Sequence, residues 1–121
     1  MTLEVLPMPF TVCQLSDVHS APLGEAFCFL SCTDEEISLV CPTASVPEKT
    51  LRREDGWRAM RIAGVLDFSL VGILAKISGL LADAQIPVFC CSTYNTDYIL
   101  VRENTFSRAS EILRAGGYEV L

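Results

Sequence analysis

The chain has 121 residues, half of them hydrophobic, and carries 9 Lys and Arg against 15 Asp and Glu for a formal net charge of −6. That length supports one compact domain or two small halves sharing a core. The acidic balance argues against nucleic acid as a partner, since binding a phosphate backbone requires clustered Lys and Arg to displace counterions.

Residues 8–15 (MPFTVCQL) predict a first strand, with Pro7 and Pro9 flanking its beginning. Residues 16–25 are a turn-rich loop containing Asp17, His19, Pro22 and Gly24, with room for a single helical turn. Residues 26–33 (AFCFLSCT) predict a second strand that is mostly buried on both faces. The run Thr33-Asp34-Glu35-Glu36 resembles a capping box, but the ISLVCP after it is β-prone and ended by Pro42. A tight turn into a third strand, and so a hairpin, is therefore expected. Residues 42–56 are polar and punctuated by Pro42, Pro47 and Gly56. The densest basic group of the chain, Lys49, Arg52, Arg53, Arg58 and Arg61, has Glu48, Glu54 and Asp55 among it, which describes a solvated mixed-charge loop rather than a binding stripe. The boundary between two halves, 1–56 and 57–121, is placed at its end.

The second half is more regular. Residues 58–62 predict a strand and 63–68 a loop, followed by a helix over 69–85 that Pro87 stops. Leu70, Ile73, Leu74, Ile77, Leu80, Leu81 and Ala84 recur at spacings of three and four, which puts them on one helix face turned to a sheet. Asp67 and Ser69 stand before it as cap candidates. Residues 88–92 and 98–102 predict a second hairpin, joined through the turn 93–97. Asn104 or Thr105 can cap a last helix bearing Phe106, Ala109, Ile112 and Leu113 on one face. Gly116-Gly117 ends that helix, and 118–121 is a final strand. The resulting order, β-α-β-β-α-β, is an α+β ferredoxin-like unit with two helices packed on one face of an antiparallel sheet.

No apolar run reaches the roughly 20 residues needed to cross a bilayer, and MTLEVLPMPF lacks the basic-then-apolar order of a secretory signal. A cytoplasmic protein without a membrane partner is expected. The six cysteines show no C-x-x-C pair: Cys28 and Cys32 lie in an apolar run, Cys90 and Cys91 are adjacent, and Cys13 and Cys41 are isolated. With a single histidine, His19, they are read as small buried thiols, with no metal and no cofactor. Thiol catalysis by Cys13 or Cys28 with His19 is the enzyme reading against which a non-catalytic one is weighed.

The segment AGVLDFSLVGILAKISGLLADAQIPVFCCSTYNTDYILV resembles an ACT domain, the amino-acid-sensing module of aspartokinases and other regulated enzymes. It is similar to small stand-alone ACT proteins and to the ACT repeats of the eukaryotic cytosolic arginine sensor. The likeness covers 57–121 and rests on L-D-F-S-x-x-G-I-L-A together with S-T-Y-N-T-D-Y-I-L-V. Residues 1–56 resemble a degenerate, β-rich ACT-like half.

This resemblance implies a non-catalytic regulatory module that binds a small ligand, an amino acid, at an ACT–ACT interface in a homodimer or between the two halves. In such domains the ligand is held after the first strand and at the start of the first helix, here Gly64, Val65, Leu66, Asp67 and Phe68. The physics agrees, because a helix N-terminus accepts a carboxylate and Gly64 permits close backbone approach. Gly64 serving only a turn and Asp67 only a cap is the plainer account. The second element is Ser92, Thr93, Thr96 and Asp97, with Asp97 as acceptor for a cationic group. Those residue types also suit a tight hairpin that needs no ligand. The alternative to ligand binding is an interaction module with the ACT fold and no ligand.

Overall fold

The computed structural model describes residues 1–67 and 69–121. They hold eight strands, β1 (Thr2–Val5), β2 (Phe10–Leu15), β3 (Phe29–Cys32), β4 (Ile37–Pro42), β5 (Arg52–Ile62), β6 (Phe89–Ser92), β7 (Asp97–Arg102) and β8 (Glu119–Val120), with helices α1 (Ile73–Asp83) and α2 (Phe106–Ala115). The chain divides into a strand unit, Met8–Trp57, and a helical unit made of Met1–Pro7 with Arg58–Leu121. Strand β5 belongs to the first as far as Trp57 and to the second from Arg58.

In the helical unit the expected β-α-β-β-α-β order runs from β5 through α1, β6, β7 and α2 to β8. One strand was not foreseen. β1 lies between β5 and β8, antiparallel to β5 (Leu3 opposite Ile62, Val5 opposite Met60) and parallel to β8 (Thr2 opposite Glu119). Thr2-Leu3-Glu4-Val5 does alternate polar and apolar, but the run is only four residues long and soon followed by two prolines, and its ladder partners lie far along the chain. Residues 1–7 therefore join the helical unit rather than the half they begin. Ile77 and Leu81 of α1 and Ala109 and Leu113 of α2 are buried in one core with Leu3, Met60, Ile62, Ile99 and Val101 of the sheet.

The helix predicted over 69–85 begins later, at Ile73. Gly72 precedes it at φ 78° in the left-handed region, which favours glycine, and no side chain caps the helix. Asp67 instead accepts the Ser69 N–H at 2.8 Å in a local turn, so Asp67 and Ser69 are not the caps of α1. Leu70 consequently drops out of the apolar stripe and is half exposed, whereas Ile73, Leu74, Leu80 and Ala84 pack against the core. Both helices end alike. Ile86 N–H donates to Leu81 C=O and Tyr118 N–H to Leu113 C=O, each folding a hydrophobic residue back after a positive-φ position at Gln85 or Gly117. Thr105 stands before α2, but its hydroxyl donates to Arg102 C=O and does not cap.

The strand unit orders its strands β3-β4-β2-β5, and the single helical turn foreseen in its first loop is a 3-10 turn at Val18–Ser20. The solvated loop expected over 42–56 is a strand from Arg52 onward, because β2 supplies its hydrogen-bond partners where hydrophobic alternation is missing. The β2–β5 register slips between Phe10 and Val12, where Gly56 at φ 83° makes the bulge. Buried Thr11 donates to Asp55 at 2.7 Å, and with Arg53 this holds the Asp55 carboxyl below the ordinary range.

Cys13, Leu15, Leu39 and Cys41 form the buried centre of the strand unit, as the reading of buried thiols requires for two of the six. Burial, followed by neighbouring Cys13, Cys28 and Glu25, pushes the Cys41 thiol up to about 12. An unfolded chain loses that proton near pH 8.5. The folded pKa is raised, so the thiol's contribution to stability is whole below about pH 8.5 and falls as pH rises from there toward 12. We expect exposed Cys32 to alkylate in the native protein, and Cys13 and Cys41 only in denaturant. Mass mapping after a pH 8 iodoacetamide pulse checks this, and native labelling of Cys41 would contradict the buried arrangement.

Candidate functional site: a cleft at the start of α1

A cleft of about 290 Å³ opens in the helical unit where the first turn of α1 meets the β6–β7 turn. Its α1 side is Gly72, Ile73, Leu74 and Ala75, with Leu66, Asp67 and Leu70 from the segment before it. The facing side is the turn from Thr93 to Asp97. The first backbone N–H groups of an uncapped helix carry partial positive charge, whereas the facing turn carries the Asp97 carboxylate. Asp67 adds a second negative group, its pKa lowered by hydrogen bonds from the Ser69 backbone and side chain. Among the described residues that line it, none is Lys, Arg or His. The arrangement suits a small zwitterion, its carboxylate at the helix and its cationic group at the acids.

The two sides are tied together. Leu66 N–H donates to Asn95 C=O at 2.7 Å, and buried Thr96 donates through Oγ1 to Ile62 C=O at 2.7 Å. Thr93 closes the turn by donating through its N–H and hydroxyl to Thr96 C=O, both at 2.9 Å. Thr96→Val would leave the Ile62 carbonyl unpaired in the interior and is expected to cost about 1–3 kcal/mol. Urea unfolding measures that loss, and an unchanged midpoint would show the tie to be unimportant.

Of the residues singled out in the sequence, the structure brings Leu66, Asp67, Thr93, Thr96 and Asp97 to this cleft. Gly64, Val65 and Ser92 do not line it, and Phe68 lies outside the described residues. Gly64 has φ 95°, but a Cβ built there meets nothing within 4 Å, so its backbone angle and not a close approach calls for glycine. Gly72, Ile73, Leu74 and Ala75 line the cleft without having been expected there, because α1 begins four residues after the position that its sequence suggests. The glycine at 72 was the available signal for the true start.

Thiol catalysis finds little support in this geometry. Burial raises the Cys13 and Cys28 pKa values, opposite to what a nucleophile requires, and His19 is exposed in a surface turn. Among the described residues no three His, Cys, Asp or Glu side chains converge to hold a metal, and no helix is long and apolar enough to cross a membrane.

A model of the ACT domain family matches residues 52–115. The chain belongs to the ACT domain family. The cytosolic arginine sensor for mTORC1 subunit 1 of Homo sapiens and that of Bos taurus are each 42% identical to this ACT protein over 59 residues. That stretch is 48% of the chain and 18% of the sensor's length. A crystal structure of an Agobacterium tumefaciens protein superposes with a TM-score of 0.87 at 28% identity, covering 99% of this chain and 91% of that one. Clostridium acetobutylicum aspartate kinase gives 0.61 at 14% identity, over 87% of this chain and 32% of the kinase. The aspartokinase alpha and beta subunit structure gives 0.62 at 12%, over 95% and 96%. These last two share the fold, and with it the ferredoxin-like α+β class read from the sequence. ACT domains are typically ligand-binding regulatory modules, which is the broad function of this family.

Proposed function

We propose that this chain is a non-catalytic regulatory module that binds an amino acid, and a basic one, in the cleft at the start of α1. The observation that carries the proposal is the opposition of the α1 N-terminus and Asp97 across one cleft of about 290 Å³. Asp67 and Asp97 offer two acceptors against one helix end, which matches a ligand with two cationic groups and one carboxylate. The likeness to proteins named as cytosolic arginine sensors supports the same ligand class and a cytosolic location. The test is a thermal-shift screen of the twenty amino acids. A shift with arginine or lysine supports the reading, and no shift with any of them overturns it.

A homodimer is part of this proposal. Val65, Val71 and Tyr94 are 74%, 91% and 80% exposed on the segments that form or adjoin the cleft, and apolar side chains so placed are suited to being covered by a second copy. Sedimentation at micromolar concentration should show twice the 13.3 kDa of one chain. A species of single-chain mass, with or without ligand, would count against it. The same exposed residues favour the second reading, an interaction module without a ligand, if the screen is blank.

A further inference from the structure

The two units carry the same hairpin, each residue of the second standing 60 positions after its counterpart, as Phe29 to Phe89 and Thr33 to Thr93. In both, a four-residue strand turns into a six-residue strand and then a 3-10 turn, Thr43–Ser45 in one and Glu103–Thr105 in the other. The registers agree: Phe29 faces Val40 and Phe89 faces Leu100, whereas Cys32 faces Ile37 and Ser92 faces Asp97. The turn chemistry agrees as well. Thr33 N–H donates to Glu36 C=O and Thr93 N–H to Thr96 C=O, both at 2.9 Å, and each threonine hydroxyl accepts the N–H three residues on, at 3.1 and 3.3 Å. Even the local turn of Asp67 has its match, since Asp17 accepts the His19 N–H at 2.9 Å.

The copies part where the cleft lies. Ile37 stands at the counterpart of Asp97, and Glu36 at that of Thr96. The strand unit has three residues of 3-10 turn where the helical unit has α1, so no α-helix begins there to receive a carboxylate. A hairpin that closes in the same register around Ile37 shows that the turn itself does not need a carboxylate at position 97. Hairpin chemistry therefore accounts for Thr93 but gives no reason for the half-buried carboxylate at Asp97, where the other copy has Ile37.

We infer that this chain holds a single amino-acid site, in the helical unit, and that the hairpin of the strand unit is the same scaffold without a site. This rests on the amino-acid reading above. Calorimetric titration of the full chain with L-arginine and L-lysine tests it. The expected result is no more than one ligand per chain, unchanged by Ile37→Asp. Asp97→Ile installs the residue that the other copy already accommodates, so it should lower affinity at least about ten- to a hundred-fold while melting stays within a degree or two. Should Asp97→Ile fail to fold, Asp97→Asn carries the same comparison. Two ligands per chain would overturn the single-site inference and leave the proposed function standing, whereas parental affinity in a folded Asp97 variant would overturn the inference and, with it, the cleft at Asp97 as the proposed site. A parent chain that titrates with neither amino acid, after a blank twenty-amino-acid screen, overturns both.

Discussion

Ile77→Asp is expected to unfold the helical unit at ordinary temperature. Ile77 is 1% exposed in the core that joins α1 and α2 to the sheet. A carboxylate there has no water and no partner, and its burial should cost several kcal/mol, a large part of the roughly 5–15 kcal/mol that stabilises a domain. Leu70→Asp is the matched control, because Leu70 precedes the helix and is 52% exposed. Circular dichroism melts of both variants make the test. If Ile77→Asp melts within a degree or two of its parent, α1 does not face the core.

Asp97→Asn is expected to keep the turn and lose the ligand. The amide preserves the shape of the side chain and removes the charge, and a charge-assisted hydrogen bond is worth about 1.5–3 kcal/mol. Affinity for a basic amino acid should therefore fall about ten- to a hundred-fold, with ligand-free melting hardly changed. Gly64→Val separates stability from binding. A β-branched residue is strained at φ 95°, but Gly64 does not line the cleft, so this variant should lower the melting temperature more than the affinity of what remains folded. Calorimetry on both variants decides the matter, and parental affinity in Asp97→Asn would remove that residue from the site.

Asp97 was legible as a candidate in the sequence because it follows a Thr- and Asn-rich turn in a motif resembling the ACT family. What a string of residues could not show is which neighbours that turn would meet. Leu66, Asp67, Thr93, Thr96 and Asp97 share the cleft only because Leu66 bonds Asn95 and Thr96 bonds Ile62, contacts between segments about 30 residues apart. The start of α1 was misplaced for a related reason. Asp67 and Ser69 fit a cap by residue type, but they bond to each other in a turn of their own.

The amino-acid sequence by itself determined the elements whose cause is local. The stripe from Ile73 to Ala84, the second hairpin with its Thr93 turn and the glycine stop of α2 each follow from periodicity or side-chain chemistry within a few residues. Tertiary structure alone decided the place of β1 between β5 and β8, and the strand character of Arg52 to Trp57. Both are short or polar segments that become strands because distant strands offer hydrogen bonds their own residues do not encode.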